Sequence, residues 1–263
     1  MKASTSKKIN GAAGTVIMTV VLIVILFPVL WALPSMFKNR SEIFELPLHW
    51  LPHQWTLENF RTVFDMTDYN YLLSVGSTTL VAVISVFLSL LVNMMAAYAF
   101  ARIEFPGRAF FWVYMLSTMF IPGITILLTS VRVVSFLGML DTIWVLIIPG
   151  VASGYNIFFF RQYYLGVPGY MEEAAMIDGL SRAGIFFRIF TRISTAPMVI
   201  IGMSVFMSYY NSFLWPVMTI TDNTALYQIM QLIRTLNSRY TGRYGIVLAA
   251  TMMSLIVPFA LEC

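Results

Sequence analysis

The chain is poor in the groups on which most soluble chemistry relies. Its one cysteine, Cys263, is the last residue, so no disulfide can close within it. Two histidines, His49 and His53, are its whole supply of imidazole. Only 11% of the 263 residues are charged, and lysine occurs only at Lys2, Lys7, Lys8 and Lys38. A G-x-x-x-x-G-K-[ST] loop is therefore absent, which excludes ATP hydrolysis through a phosphate-cradling loop of this chain. H-E-x-x-H and G-x-S-x-G are missing as well, which speaks against an intramembrane metalloprotease or a serine hydrolase. The pI near 9.2 rests on no basic cluster denser than Lys7-Lys8, so juxtamembrane charge accounts for it and nucleic acid is not an expected partner.

What the chain has instead is apolar sequence: 59% hydrophobic residues and a mean hydropathy of +0.80. Six runs carry no Asp, Glu, Lys or Arg: 9–37, 69–101, 109–131, 142–160, 193–221 and 244–261. Each is near or above the roughly 17–25 residues needed to cross the hydrocarbon core. A charge at the centre of a spanning helix costs about 2.5–3.5 kcal/mol, so six clean runs predict six transmembrane helices and an all-α membrane protein. The first run comes after Lys2, Lys7 and Lys8, as the core of a secretory leader would. It is far longer than a 7–15-residue leader core and shows no small-residue cleavage pattern, which predicts an uncleaved first helix. An inside N-terminus places nine basic residues in the cytoplasm against seven outside, the direction of the positive-inside rule. The expected organisation is a cytoplasmic N-terminus over 1–14, a first helix with its outer loop over 15–68, and a five-helix domain over 69–261.

Residues 166–193 form a charged island between apolar runs. Pro168 suits a first helical turn, and Glu172 and Glu173 sit where the helix dipole favours negative charge. Gly179 is placed to end that helix in a left-handed cap. Ser181 can cap a second helix, with Ile185, Ile189 and Ile193 on one face and Arg188 and Arg192 on another. The paired alanines Ala174 and Ala175 predict a thin face that another backbone can approach, and the acidic residues around them can accept hydrogen bonds or arginine contacts. An ordinary amphipathic interfacial helix has the same spacing.

The residues Glu173-Ala174-Ala175, Asp178-Gly179, Ile185 and Phe186 resemble the EAA signature of binding-protein-dependent ABC importer permeases. The string from Ala96 to Arg102, with Phe105-Pro106-Gly107-Arg108 after it, is similar to the carbohydrate, maltose-type branch. So are Trp55, Leu57, Asn59 and Phe60, while Phe158, Phe159, Phe160, Arg161 and Gln162 resemble the approach to the coupling segment in the permease family as a whole. The resemblance implies a type I ABC importer permease fold and a cytoplasmic coupling helix that meets an ATPase subunit through Glu172, Glu173, Ala174, Ala175, Asp178 and Gly179. It also implies a second permease subunit, two ABC ATPase subunits that bind the ATP and Mg, an extracytoplasmic solute-binding protein, and a carbohydrate substrate. No cofactor is expected in this chain. The family's pattern is broken at Thr191-Arg192-Ile193, which leaves the turn into the fifth helix open, and at Leu261-Glu262-Cys263, which resembles a shortened or engineered end.

Other positions invite chemistry. Ile121-Pro122-Gly123 and Pro149-Gly150 predict breaks in the third and fourth spans, tolerated where buried or lining a cavity. Tyr209, Tyr210 and Asn211 in the fifth run are candidates for the translocation path, or for helix-to-helix hydrogen bonds. His49 and His53 have the spacing of metal ligands on a helix, but Pro52 argues against a helix there and no metal site is expected. Interfacial tryptophans at Trp50 and Trp55 make the loop a membrane-surface element. Arg234, Arg239 and Arg243 against Asp222 give the last outer loop a basic bias, which would favour an acidic oligosaccharide, or is simply interfacial arginine. A secondary transporter or channel is the competing class; proton or ion coupling usually needs an ionisable group in the membrane, and all six runs lack one.

Overall fold

A computed structural model describes residues 2–47 and 49–262, with side chains from Gly14 to Leu261 in that range. The readings placed on Cys263 and on the side chains of Lys2, Lys7, Lys8 and Glu262 lie outside the described residues. All regular structure among the described residues is helical.

Three helices are long and apolar enough to cross a membrane unbroken: residues Gly14–Ser35 of α1 (Lys2–Ser35), α3 (Tyr71–Arg102) and, numbered last, α13 (Tyr244–Leu261). Three further spans are bent pairs. α4 (Arg108–Thr118) and α5 (Gly123–Phe136) meet at 104°. α6 (Ile143–Ile147), continued by a 3₁₀ turn over Ile148–Gly150, meets α7 (Gly154–Leu165) at 46°. α9 (Arg182–Ile193) meets α10 (Thr195–Tyr210) at 81°. Six spans result. The break before α5 falls at Pro122, the extended N-cap (ψ 127°), whose missing N–H could not continue the i→i−4 ladder from α4. The turn left open at Thr191-Arg192-Ile193 forms at Ser194, whose buried hydroxyl donates to the Phe190 carbonyl at 2.6 Å.

The chain packs as two compact units, one of residues up to Thr67 and from Ile233 onward, the other Asp68–Leu232. In the first, α13 lies on α1 and on the short α2 (Glu58–Phe64). Asn59 is buried there and donates to the carbonyls of Met36 (2.9 Å) and Lys38 (3.0 Å). Gly245 is in close contact, since a Cβ on it would stand 2.9 Å from Asn59 Cγ. Arg243 and Glu58 pair at 2.8 Å.

The second unit is built on α3. Asn70 caps it by accepting from Leu73 N (3.0 Å). Its buried stripe is small or polar, through Ser74, Thr78, Ala82, Ser85, Ser89, Asn93, Ala97 and Ala101, and this lets α7 and α10 pack against it closely. Asn93 also repairs the bent fourth span. Its Nδ2 donates to the Val151 carbonyl and its Oδ1 accepts from Ser153 N, each at 2.8 Å, so backbone groups freed by the Pro149-Gly150 break regain partners. Between α7 and α9 runs α8 (Tyr170–Ile177), and after α10 come α11 (Leu214–Thr219) and α12 (Ile229–Arg239).

Candidate functional site

The charged island folds as helix, glycine turn and helix. α8 begins at Tyr170, two residues after the proline expected in its first turn: Gly169 is the N-cap with helical angles (φ −64°, ψ −32°), and Pro168 precedes it. Glu172 and Glu173 occupy the first turn. Gly179 is left-handed (φ 81°), and Leu180 N reaches back to the Ala175 carbonyl at 3.0 Å, closing the helix end. Ser181 caps α9 by accepting from Gly184 N at 3.2 Å.

The second helix departs from the expected isoleucine face. A π-helical stretch over Phe186–Phe190 widens one turn and rotates the residues beyond it. Ile185, Phe186 and Phe190 therefore form the buried face, while Ile189 and Ile193 are only partly covered; Arg188 and Arg192 remain outside the core.

The six residues singled out on α8 divide between two faces. Glu172 and Ala175 are buried; Glu173, Ala174, Asp178 and Gly179 are exposed. The alanine pair is thus split: Ala175 packs among Ala97, Tyr98, Tyr164 and Phe186, and Ala174 alone faces outward. Glu172 Oε1 accepts from the Tyr98 hydroxyl (2.9 Å) and stands 3.7 Å from Arg182 Nη1, while Arg102 Nε lies 4.0 Å from Oε2. Arg102 also donates from Nη2 to the carbonyls of Tyr164 (2.6 Å) and Val167, and its cation lies 5.5 Å from the Phe190 ring centre. Glu172 is therefore the anchor that holds α8 to the core. The outward face is completed by Tyr170, Met176 and Ile177, the last 86% exposed. Sequence reasoning missed Tyr98 and Arg102, although their four-residue separation at the end of α3 places them on one helix face.

Within the same unit is a cavity of about 510 Å³ whose lining includes Ser130, Gly150, Ser208, Tyr209, Trp215 and Gln228. Of the three residues expected on a translocation path, Tyr209 lines it. Its hydroxyl donates to the Ile147 carbonyl at 3.0 Å, so it also serves as a helix-to-helix bond. Tyr210 is fully buried and stacks on Phe206 (5.5 Å, 21°), and Asn211 is an exposed C-cap. Gln228 sits outside the apolar runs and carried no signal for the cavity, whereas Trp215 lies in the same run as Tyr209.

No family model matches the chain. It is 29% identical over 258 residues to the arabinooligosaccharides transport system permease protein AraQ of Halalkalibacterium halodurans, covering 97% of this chain and 91% of that one. It is 31% identical over 201 residues to the inner membrane ABC transporter permease protein YcjP of Escherichia coli, covering 74% and 70%. A solved bacterial ABC transporter involved in import of the acidic polysaccharide alginate has the same fold, with a TM-score of 0.84 at 20% identity over 98% of this chain and 95% of that one. With these relatives beside the spans and the anchored α8, the chain belongs to the ABC transporter permease family and is a multi-pass protein of the bacterial inner membrane.

Proposed function

We propose that the chain is the permease subunit of a binding-protein-dependent importer that moves a carbohydrate by alternating access. The carrying observation is the two-sided α8: an exposed face of Glu173, Ala174, Ile177 and Asp178 on a helix whose other face is tied to the core by Glu172. Such a helix transmits displacement to the unit it is anchored in. With no phosphate-cradling loop in the sequence, ATP and Mg are bound by two separate ATPase subunits. A second permease subunit and an extracytoplasmic binding protein complete the assembly; a solved alginate transporter, similar in fold, has been seen with a pentasaccharide-bound periplasmic protein. In the cavity, Tyr209 and Trp215 offer ring faces, and Ser208, Ser212 and Gln228 offer polar groups, a lining suited to sugar.

Glu173→Lys in the reconstituted complex is the test. Loss of ATP-driven uptake with an unchanged unfolding temperature supports the coupling role; unchanged ATPase assembly and uptake would sink it. The finer reading is an acidic oligosaccharide, after the alginate importer that shares the fold. Arg243 contributes less to it than the sequence implies, being paired to Glu58. Uptake of neutral and acidic oligosaccharides over a salt series decides, and equal uptake removes the acidic preference.

A further inference from the structure

We propose that the loop between α1 and α2 holds a divalent transition-metal site formed by Glu45, His49 and His53. The loop is not helical here, as Pro52 predicts, yet the chain folds back so that one ligand atom from each residue lies within 4.8 Å of the other two. The two imidazole rings are 4.5 Å apart at 59°, a tilted approach rather than a flat stack. Two neutral imidazoles and one carboxylate are a ligand set that suits Zn²⁺ and its neighbours rather than Ca²⁺ or Mg²⁺. Ligands about 2.0–2.1 Å from a tetrahedral Zn²⁺ stand roughly 3.3 Å apart, so small side-chain rotations complete the site.

Two independent features favour a ligand role over a chance cluster. His49 Nδ1 is shielded from solvent and has no hydrogen-bond partner among the described residues, an arrangement that is unfavourable unless something satisfies the nitrogen. The His49 backbone is also held in advance. Lys38, itself buried, donates to the His49 carbonyl, and the ring borders a small pocket with Phe27, Trp31 and Trp50. The base of the loop is closed by Thr56 N donating to the Phe37 carbonyl at 3.0 Å. These contacts fix the backbone and one face of the ring at His49 before any ligand arrives. The Lys38 ammonium, held on the His49 carbonyl, is the opposing charge. With three protein ligands a fourth position is left for water or for a group of another molecule.

The experiment uses the purified transporter complex stripped of metal, with Zn²⁺ alone as probe, read by competition against a chelating dye and by the visible spectrum of Co²⁺ in its place. One Zn²⁺ per copy of this chain is expected. Both the paired His49→Gln, His53→Gln variant and the milder Glu45→Gln variant should weaken it at least tenfold and lose the tetrahedral Co²⁺ bands. Complex yield and unfolding temperature without metal should match the parent, and added Zn²⁺ should raise the unfolding temperature of the parent alone. Equal stoichiometry and affinity in parent and variants, or no bound Zn²⁺ in the parent, would overturn the site.

Discussion

Carboxylates hold the unit of residues 68–232 in opposite ways at two places. At α8 the buried Glu172 faces Tyr98 and the largely covered Arg102, with the half-exposed Arg182 at its outer edge, so charge meets charge where little water reaches the carboxylate itself. Between α5 and α6, Asp141 sits in a left-handed conformation (φ 56°) and gathers backbone donors instead. Its Oδ1 accepts from the N–H groups of Thr221 (2.7 Å), Asp222 (2.9 Å) and Asn223 (3.2 Å), and its own carbonyl accepts from the Asn223 amide. Burial raises the Asp141 pKa, but those backbone hydrogen bonds and the Thr221 hydroxyl outweigh it and hold the carboxyl below its ordinary range. Water cannot readily replace the lost partner of a covered pair such as Glu172 and Arg102, whereas the half-exposed Arg182 and partly exposed backbone donors can turn to solvent. The first arrangement ties an outward-facing helix firmly to the core; the second only pins two loops together.

The strongest way to break that contrast is Glu172→Ala. It removes the carboxylate beside Arg102, whose side chain is 15% exposed, and leaves that cation only its carbonyl acceptors and the Phe190 ring. We expect a loss of about 2–3 kcal/mol in unfolding of the detergent-solubilised complex. Glu172→Gln, which can still accept from Tyr98, should lose less. If the alanine variant unfolds at the parent temperature, α8 is not held by charge. Next in size is Gly179→Ala, which leaves every Glu172 contact in place but puts a Cβ at φ 81° and should cost about 1–2 kcal/mol. Measured together, the two variants separate anchoring of α8 from closure of its end, and equal losses in transport for equal losses in stability would say that the turn matters as much as the anchor.

The two sites were unequally legible in the sequence. The spans, the breaks at Pro122 and Pro149, the acidic first turn of α8, the Gly179 end and the Ser181 cap all come from local rules, because each depends on residues within one turn of one another. Which α8 residues face inward does not, since Glu172 is buried only because Tyr98 and Arg102, some seventy positions earlier, arrive beside it. The π-helical turn in α9 likewise has no signature in Phe186-Phe187-Arg188-Ile189-Phe190, and it displaced the expected isoleucine face. His49 and His53 are legible as a spacing with no helix to carry it, yet a folded loop brings them together with Glu45 equally well. Asp141 left no trace at all: an aspartate between two apolar runs says nothing of three donors eighty residues away.

The cavity provides a test of intermediate size, because neither kind of carboxylate lies in it. Gly150 packs under Tyr209, and a Cβ there would fall on the Tyr209 hydroxyl oxygen, closer than real side chains approach. Gly150→Ala should push the ring off the Ile147 carbonyl and cost about 1 kcal/mol, the worth of one hydrogen bond. Tyr209→Phe removes the same bond without moving the ring. If Gly150→Ala slows uptake and Tyr209→Phe does not, the position of the ring in the cavity matters rather than its hydroxyl.

The smallest effect is expected at Asp141, and its pH dependence has a definite sign. A carboxyl whose folded pKa is depressed adds stability that is fully present above the ordinary carboxylate value, near 3.9, and is lost as pH falls through the lower folded value. The site is partly exposed and screened by solvent, so the contribution should stay below about 1 kcal/mol. Asp141→Asn keeps an oxygen to accept from the three N–H groups and a residue that tolerates positive φ, and removes only the charge. The difference in unfolding temperature between parent and Asp141→Asn should therefore be constant from pH 8 to about pH 5 and vanish on acidification below the carboxylate range. A parent less stable than Asp141→Asn at neutral pH, recovering on acidification, would mean instead that the charge opposes the loop contact, and that the backbone donors hold the two loops together in spite of it.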